Sequence, residues 1–493
     1  MTEVEAAVPV LATGRGKAIL ALLLAIAFLD FVDASIVNVA LPSIRADLGF
    51  SVQNLQWVLS GYLLTYGGFM LLGGRLADLV GRRRLAVAGT TIFLLSSVAG
   101  GVAQNAGTLI GSRLVQGVGA ALMLPAALSL LTTTFSQPID RAKALGAWGA
   151  LAGLGSAVGV LLGGILSDYL DWRWVFFVNP PICVMILFSI FRLLPVDPPR
   201  HRGRIDAVGA ILVTAAMLLL VYTIVEAPDK GWGSGRTVGG LVGAGVLLLI
   251  FAVFESRIEH PLFPFSIFRI RGLWEADLTQ VAAMAGFYSM FFFATLYMQN
   301  VLQYSQIKTG IIYLPVTLGV AVGAGVATKL VPNTGTRPLI VVGALIGASG
   351  IFWLSFIPTH GTYWAHLFGP LQILSFGLGA LFVGVTTAAQ AGVPEEQAGL
   401  AAAMINASTW LGGALGIAVF SAIAASKRTH HLAHGATQAA ALTSGFRAAF
   451  LAAAIVILVG ALIAFRARNA TAADMMGMEP GEEESVIPAT VGT

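Results

Sequence analysis

Apolar runs of about twenty residues, broken by short charged or Pro/Gly-rich stretches, fill most of this chain. At 1.5 Å of rise per residue such a run spans the hydrocarbon core of a bilayer, so each predicts a membrane-crossing helix. The runs lie near 18–41, 55–76, 84–104, 107–133, 142–167, 174–194 and 206–226, and then near 237–255, 275–299, 309–330, 337–357, 365–389, 397–425 and 445–467. That makes fourteen.

An even number of spans returns both termini to one side. With that side cytoplasmic, nineteen of the 28 lysines and arginines fall inside, eight fall outside, and Arg113 is left within the membrane. Positive charge favours the cytoplasmic loops, so this orientation is the expected one. The two longest inside connections, 195–205 and about 256–274, flank spans seven and eight. The expected organisation is a cytoplasmic N-terminus (1–17), a six-helix bundle (18–194), an inserted two-helix region with its connections (195–274), a second six-helix bundle (275–467) and a disordered tail (468–493). The basic, amphipathic 256–274 is expected along the inner interface. Glu479, Glu482, Glu483 and Glu484, set among Gly and Pro, mark the tail as disordered.

Composition supports a membrane solvent. Of 493 residues, 57% are hydrophobic and only 11% charged, and mean hydropathy is +0.84. A soluble domain carries about 25% charged residues. The 58 glycines recur inside the apolar runs, where small residues let membrane helices approach closely. The formal charge of +4 is scattered over short loops, which points away from nucleic acid. The lone Cys183 excludes an intrachain disulfide. The first apolar run is long enough to span and is not a cleavable signal.

Charges inside a bilayer cost at least about 2.5 kcal/mol each, so each needs a reason. Asp30 and Asp33 lie three apart in span one and share a helix face. Counting from the helix ends, Asp33 lies about nine residues deep and Arg113, in span four, about six, so their depths agree within roughly 5 Å. Burial and a nearby guanidinium pull the protonation of a carboxyl in opposite directions, which makes a proton site sensitive to rearrangement. A static buried ion pair is the plainer reading. Glu226 reads as interfacial, and Glu275 and Asp277 as partners of a helix N-terminus. Asn38, Gln116, Trp148, Asn179, Asn406 and Trp410 are candidates to line a cavity, or else packing residues. His430, His431 and His434 have no metal-site spacing and read as a solvated loop.

Four motifs carry a family likeness. The loop after span two reads GRLADLVGRRR, from Gly74 to Arg84. Span four reads LIGSRLVQGVGAA, span one VDASIVNVALP, and span five carries Gly146, Gly155, Gly159, Gly163 and Gly164. These resemble motif A, the proton-linked motif B, the first-span signature and the antiporter motif C of the major facilitator superfamily. Within it, the first-span signature is similar to that of the fourteen-span drug:proton antiporters. The segment WRWVFFVNPP (Trp172–Pro181) resembles the family's span five–six junction. The loop GAGVATKLVPNTGTRP resembles a decayed second motif A, with Gly335 and Arg337 kept and Pro332 in place of the acid. In motif C the family's proline is Val160 here, so no kink is built in at that point.

The resemblance covers residues 15–467 and implies two bundles that rock around a central cavity. It implies a proton-coupled exporter of lipophilic or cationic small molecules, not an enzyme, with no cofactor, no metal and no nucleic-acid partner. Protons, the substrate and membrane lipid are its partners, and it is expected to work as a monomer in the cell membrane. Asp33, Asp30 and Arg113 would couple protons; the resemblance selects Asp33 as the signature acid. Gly74, Asp78, Gly81, Arg82 and Arg83 would gate, and Gly155, Gly159, Gly163 and Gly164 would pack helices. Val160 keeps open a nutrient symporter or uniporter on the same fold. A non-transporting scaffold or sensor has no use for matched intramembrane charges. No phosphate-binding Gly-x-x-x-x-Gly-Lys-Ser/Thr loop occurs, which argues against an ATP-driven pump in this chain.

Overall fold

A polar backbone has no water to bond in lipid, so it must satisfy itself internally, and helices do this within one segment. The computed structural model follows that rule. It describes residues 10–135, 137–195, 206–258, 261, 272–391, 393, 395–467 and 469–470, with some helical side chains, Asp78 among them, outside the description. Among the described residues there are sixteen α-helices. Two are single turns, α2 (Val52–Leu55) and α7 (Trp174–Phe177). The other fourteen follow the expected order.

The first bundle contains α1 (Gly14–Leu48), α3 (Trp57–Val80), α4 (Arg82–Gly101), α5 (Ala106–Thr134), α6 (Pro138–Tyr169) and α8 (Asn179–Leu193). The inserted pair is α9 (Ala207–Lys230) and α10 (Gly235–Arg257). The second bundle contains α11 (Leu273–Asn300), α12 (Gln306–Thr334), α13 (Thr336–Leu354), α14 (Phe368–Gln390), α15 (Glu395–Ala433) and α16 (Gln438–Arg466). Side-chain oxygens of Thr13, Asn105, Asp206, Ser234, Ser305 and Thr437 accept from free N–H groups in the first turns of their helices.

Among the described residues, twelve helices are long and apolar enough to cross a membrane, with α7 and α8 taken as one. Helices α3 and α6, 24 and 32 residues long, fall outside that tally because each includes residues outside the description. Both lie at the seams between bundles: α3 packs on α15, and α6 on α12. Helix α3 carries Tyr62, Thr65, Tyr66, Gly67 and Gly68, and α6 its glycines. The inserted helix α9 lies against both α3 and α15, with α10 outside it. Only 17% of the apolar window of α10 is buried, so this helix meets lipid on most of its surface.

Both bundles turn in the same way at equivalent places. Gly81, between α3 and α4, has φ 114°, and Gly335, between α12 and α13, has φ 74°. Both values lie where side chains with a Cβ are strained. This pairing fits the duplication expected from the two motif-A-like loops. Asn469 and Ala470 fold back onto the second of these turns, where the Asn469 amide donates to the Thr334 carbonyl and Thr336 N–H donates to the Ala470 carbonyl. The rest of the expected tail, most of 256–274 and nearly all of 195–205 lie outside the described residues.

Across the seam, the bundles are bonded on the face opposite the chain termini. Asp168 of α6 accepts from the N–H groups of Gln306 and Ile307 at 3.1 and 2.7 Å, at the start of α12. Gln299 donates to the Val39 carbonyl at 2.9 Å, and Gln306 to Ser43. Nearby, a Cβ on Gly164 would meet Ile307, and one on Gly310 would meet the Val160 carbonyl at 2.5 Å. Toward the terminal face, a cleft of about 320 Å³ opens beside Thr386, Thr387, Gln390 and Ala391 of α14.

Candidate functional site

The site is built on α1, whose acids lie one turn apart inside a helix with no other charge between Lys17 and Arg45. Asp30, Asp33 and Arg113 are all completely buried. Arg113 Nη1 donates to Asp33 Oδ2 at 2.7 Å, as the depth count from the two helix ends anticipated. The same nitrogen donates to Gln116 Oε1 at 2.6 Å, and Nε donates to the Val58 carbonyl at 3.0 Å. The other Asp33 oxygen accepts from Gln116 Nε2 at 2.9 Å and from Asn179 Nδ2 at 2.7 Å. Ser97 accepts from Gln116 at 2.9 Å and closes the cage. Asp33 is thus enclosed by one guanidinium and two amides, drawn from α5 and α8.

Asp30 is held differently. Its two oxygens accept from the phenols of Tyr62 and Tyr66, each at 2.8 Å. No cation is bonded to it among the described residues. Tyr62 joins the two acids, because its ring lies 4.1 Å from the Arg113 guanidinium carbon, in cation–π range. Tyr66 reaches the other bundle, its ring stacking on Trp410 of α15 at 4.2 Å. Trp410 in turn meets Tyr288 of α11 at 6.0 Å. A line of contacts therefore runs from the buried acids across the seam.

Gln116 and Asn179, read from sequence as possible cavity residues, belong to the Asp33 cage. Trp410 is at the seam. Asn38 is buried with no partner for Oδ1, Trp148 is half-buried against the core, and Asn406 donates to the Ala402 carbonyl of its own helix. Gly155, Gly159 and Gly163 bring α6 onto α1 beside the acids. A Cβ at these positions would meet Phe31 at 2.7 Å, the Val32 carbonyl at 2.6 Å and the Ile36 carbonyl, respectively. Gly164 faces α12, and Gly146 has open space around it. Helix α6 runs unbroken through Val160, in keeping with the missing proline.

In the motif-A loop, Gly81 makes the turn, while Gly74 has no neighbour within 4 Å of a Cβ position. Arg83 donates to the Phe191 carbonyl of α8 at 3.4 Å. The Asp78 side chain lies outside the described residues. Sequence reasoning missed Tyr62, Tyr66 and Ser97. The two tyrosines, four apart on one face of an apolar span, were the available signal. It also assigned Asp277 to the start of α11, whereas its Oδ1 accepts from Ser408 of α15 at 3.0 Å. His430 and His434 are exposed and His431 is half-buried, with His430 and His431 in the last turn of α15.

The buried acid–guanidinium cluster thus stands beside the seam between two helical bundles of a membrane protein, and a family match makes that protein a transporter rather than an enzyme. Residues 23–417 match the Major Facilitator Superfamily. The chain belongs to that superfamily. It is 39% identical over 454 residues to the puromycin resistance protein pur8 of Streptomyces alboniger, covering 90% of each chain. It is 38% identical over 403 residues to the cephamycin export protein CmcT of Amycolatopsis lactamdurans, covering 81% of this chain and 83% of that one. Among solved structures, a bacterial homolog of the human lysosomal transporter Spinster, inward-facing and occupied, aligns with TM-score 0.66 at 17% identity, covering 92% and 97%. A D-xylose–proton symporter aligns with TM-score 0.64 at 14% identity, covering 92% and 98%. At those identities the two structures speak for the fold alone.

Proposed function

We propose that the protein exports small organic molecules from the cell in exchange for protons. Its close relatives named for antibiotic resistance and export support the export direction. With the termini cytoplasmic, the bonded seam is the outer one, and the arrangement described is closed to the outside. The polar cleft beside α14 then lies on the cytoplasmic side.

The observation that carries proton coupling is a charge imbalance. Two buried carboxylates, Asp30 and Asp33, face one guanidinium, that of Arg113. An uncompensated charge in lipid is costly. One proton removes it, and so does one cationic group of a substrate. The two compete for the same deficit, which is the logic of exchange. Asp33 is already satisfied by Arg113, so Asp30 is the carboxyl that takes the proton, and Asp33 with Arg113 sets the field around it. Tyr66 and Trp410 connect that event to the seam. The motif-A loop, through Asp78 and Arg82, holds one of the two states, and one chain suffices for the cycle.

The test is transport in proteoliposomes with an imposed pH gradient and a panel of lipophilic compounds. Uphill movement opposite to the proton gradient, lost when the gradient is collapsed, is the expected result. Uphill movement in the same direction as protons would instead favour the symporter reading that Val160 keeps open.

A further inference from the structure

A second acid in the membrane interior has no counter-ion. Asp277, on the terminal-face half of α11, is 6% exposed and makes no ion pair among the described residues. Its Oδ1 accepts from Ser408 at 3.0 Å, and its Oδ2 has no partner. One turn along, Gln280 is completely buried; its Nε2 donates to Thr409 at 2.8 Å, and its Oε1 also has no partner. A buried carboxylate with an idle oxygen costs several kcal/mol, and a helix dipole does not repair it from the fifth position. Both unpartnered atoms are acceptors. The ligand they lack is a donor, and beside a carboxylate it is a cation.

We infer that Asp277 and Gln280 form a binding site for the protonated amine of a transported compound. The two residues are offset by about 4.5 Å along the helix, which suits one nitrogen donating two bonds of about 2.8 Å. Positions 277, 280, 284 and 288 share a face of α11. That face climbs about 16 Å to Tyr288. Tyr288 meets Trp410, Trp410 stacks on Tyr66, and Tyr66 donates to Asp30. An amine held at Asp277 is therefore at the foot of an aromatic path that leads to the central acids. The aromatic rings suit the apolar body that such compounds carry. This inference rests on the export reading for its direction, but the binding itself needs no proton gradient.

The site requires N–H donors, and this sets the experiment. Equilibrium binding of dodecylammonium and of dodecyltrimethylammonium is measured on the full chain in lipid nanodiscs, against empty nanodiscs. The two probes share a tail and a charge, but only the first has N–H groups. Because a hydrogen bond to a charged group contributes about 1.5–3 kcal/mol, the wild type should bind dodecylammonium at least about tenfold more tightly. Asp277→Asn should remove that preference, weakening dodecylammonium about tenfold and leaving the trimethyl probe within about threefold. Ser408→Ala removes the carboxylate's hydroxyl partner while leaving the acid in place, and it should keep the preference. Equal losses for both probes in Asp277→Asn, or the same loss in Ser408→Ala, would make Asp277 a packing residue and overturn the inference. So would unchanged binding of dodecylammonium. If proton coupling fails but this one holds, the preference persists while uphill transport is absent.

Discussion

Replacing Asp30 by Asn isolates the charge deficit from the geometry. The amide keeps the shape of the carboxylate: its oxygen accepts from one phenol, and its nitrogen donates to the other. Both contacts of 2.8 Å can persist, so the fold is expected to be little affected. What changes is the charge, because the cluster then holds one carboxylate and one guanidinium and has nothing to gain from a proton. The magnitude follows from the exchange of one proton per cycle. With the membrane potential clamped to zero, a gradient of one pH unit supplies about 1.4 kcal/mol, or about a tenfold substrate ratio at equilibrium. Proteoliposomes containing the wild type should reach that ratio for a lipophilic monocation. The Asp30→Asn protein should bring the substrate only to equality, at a rate that still exceeds empty liposomes. A tenfold ratio sustained by Asp30→Asn would refute the assignment of the exchanging proton to this residue. A hundredfold ratio in the wild type would refute a deficit of one charge.

The Asp33–Arg113 pair should behave as a structural unit. Arg113→Met alone leaves two buried carboxylates without a cation and is expected to cost about 3–5 kcal/mol, lowering the melting temperature in detergent. Adding Asp33→Asn should restore most of that loss without restoring transport; equal, additive losses in the two single variants and the pair would show that they do not interact. In the glycine series, Gly159→Val should destabilise by about 1–3 kcal/mol, because its Cβ meets the Val32 carbonyl at 2.6 Å. Gly146→Ala, in open space, should leave stability and transport unchanged, and parity between these two variants would show that α6 does not need its close approach to α1. Val160→Pro removes a backbone donor from an unbroken helix and should cost about 3 kcal/mol. Because the Val160 carbonyl faces Gly310 in the seam, the same variant should make a cysteine placed at Ser43 react faster with an impermeant thiol reagent added outside. No change in that labelling would separate α6 bending from outer opening.

The architecture was legible because lipid allows few solutions. Apolar runs of sufficient length must become helices, and each expected run finds a long helix. Boundaries were less legible. Helix α1 runs from Gly14 to Leu48 and α15 from Glu395 to Ala433, both well beyond their apolar cores, because a helix continues into the headgroup region where hydropathy no longer reports it. The meeting of Asp33 with Arg113 could be read because depth along a helix is simple arithmetic. Rotation about the helix axis is not. Nothing in the sequence says that α3 turns Tyr62 and Tyr66 toward Asp30, or that α8 turns Asn179 toward Asp33. The same blindness made Asp277 look like a helix-end residue, since its partner Ser408 is more than a hundred positions away.

The placement of charge and glycine suggests how the two bundles share the work. The first bundle holds a saturated ion pair and, one turn away, a carboxyl held only by phenols. It therefore has one group whose charge can change without dismantling the cage around its neighbour. The second bundle supplies Trp410, which stacks on Tyr66 at the seam. Glycines stand where helices must come close, Gly159 and Gly163 beside the acids and Gly164 and Gly310 at the seam on the face opposite the chain termini. A seam of close backbone contacts and a few polar bonds from Asp168, Gln299 and Gln306 can part and close again without repacking an apolar core. If that is the division of labour, bulk added at Gly310 should favour the outward-open state and leave the Asp33–Arg113 cage intact. Gly310→Leu should then show increased labelling of a Ser43→Cys site from outside, with a melting temperature close to the wild type. Loss of the fold, or labelling equal to the parent, would show that the outer seam is a fixed interface and not a gate.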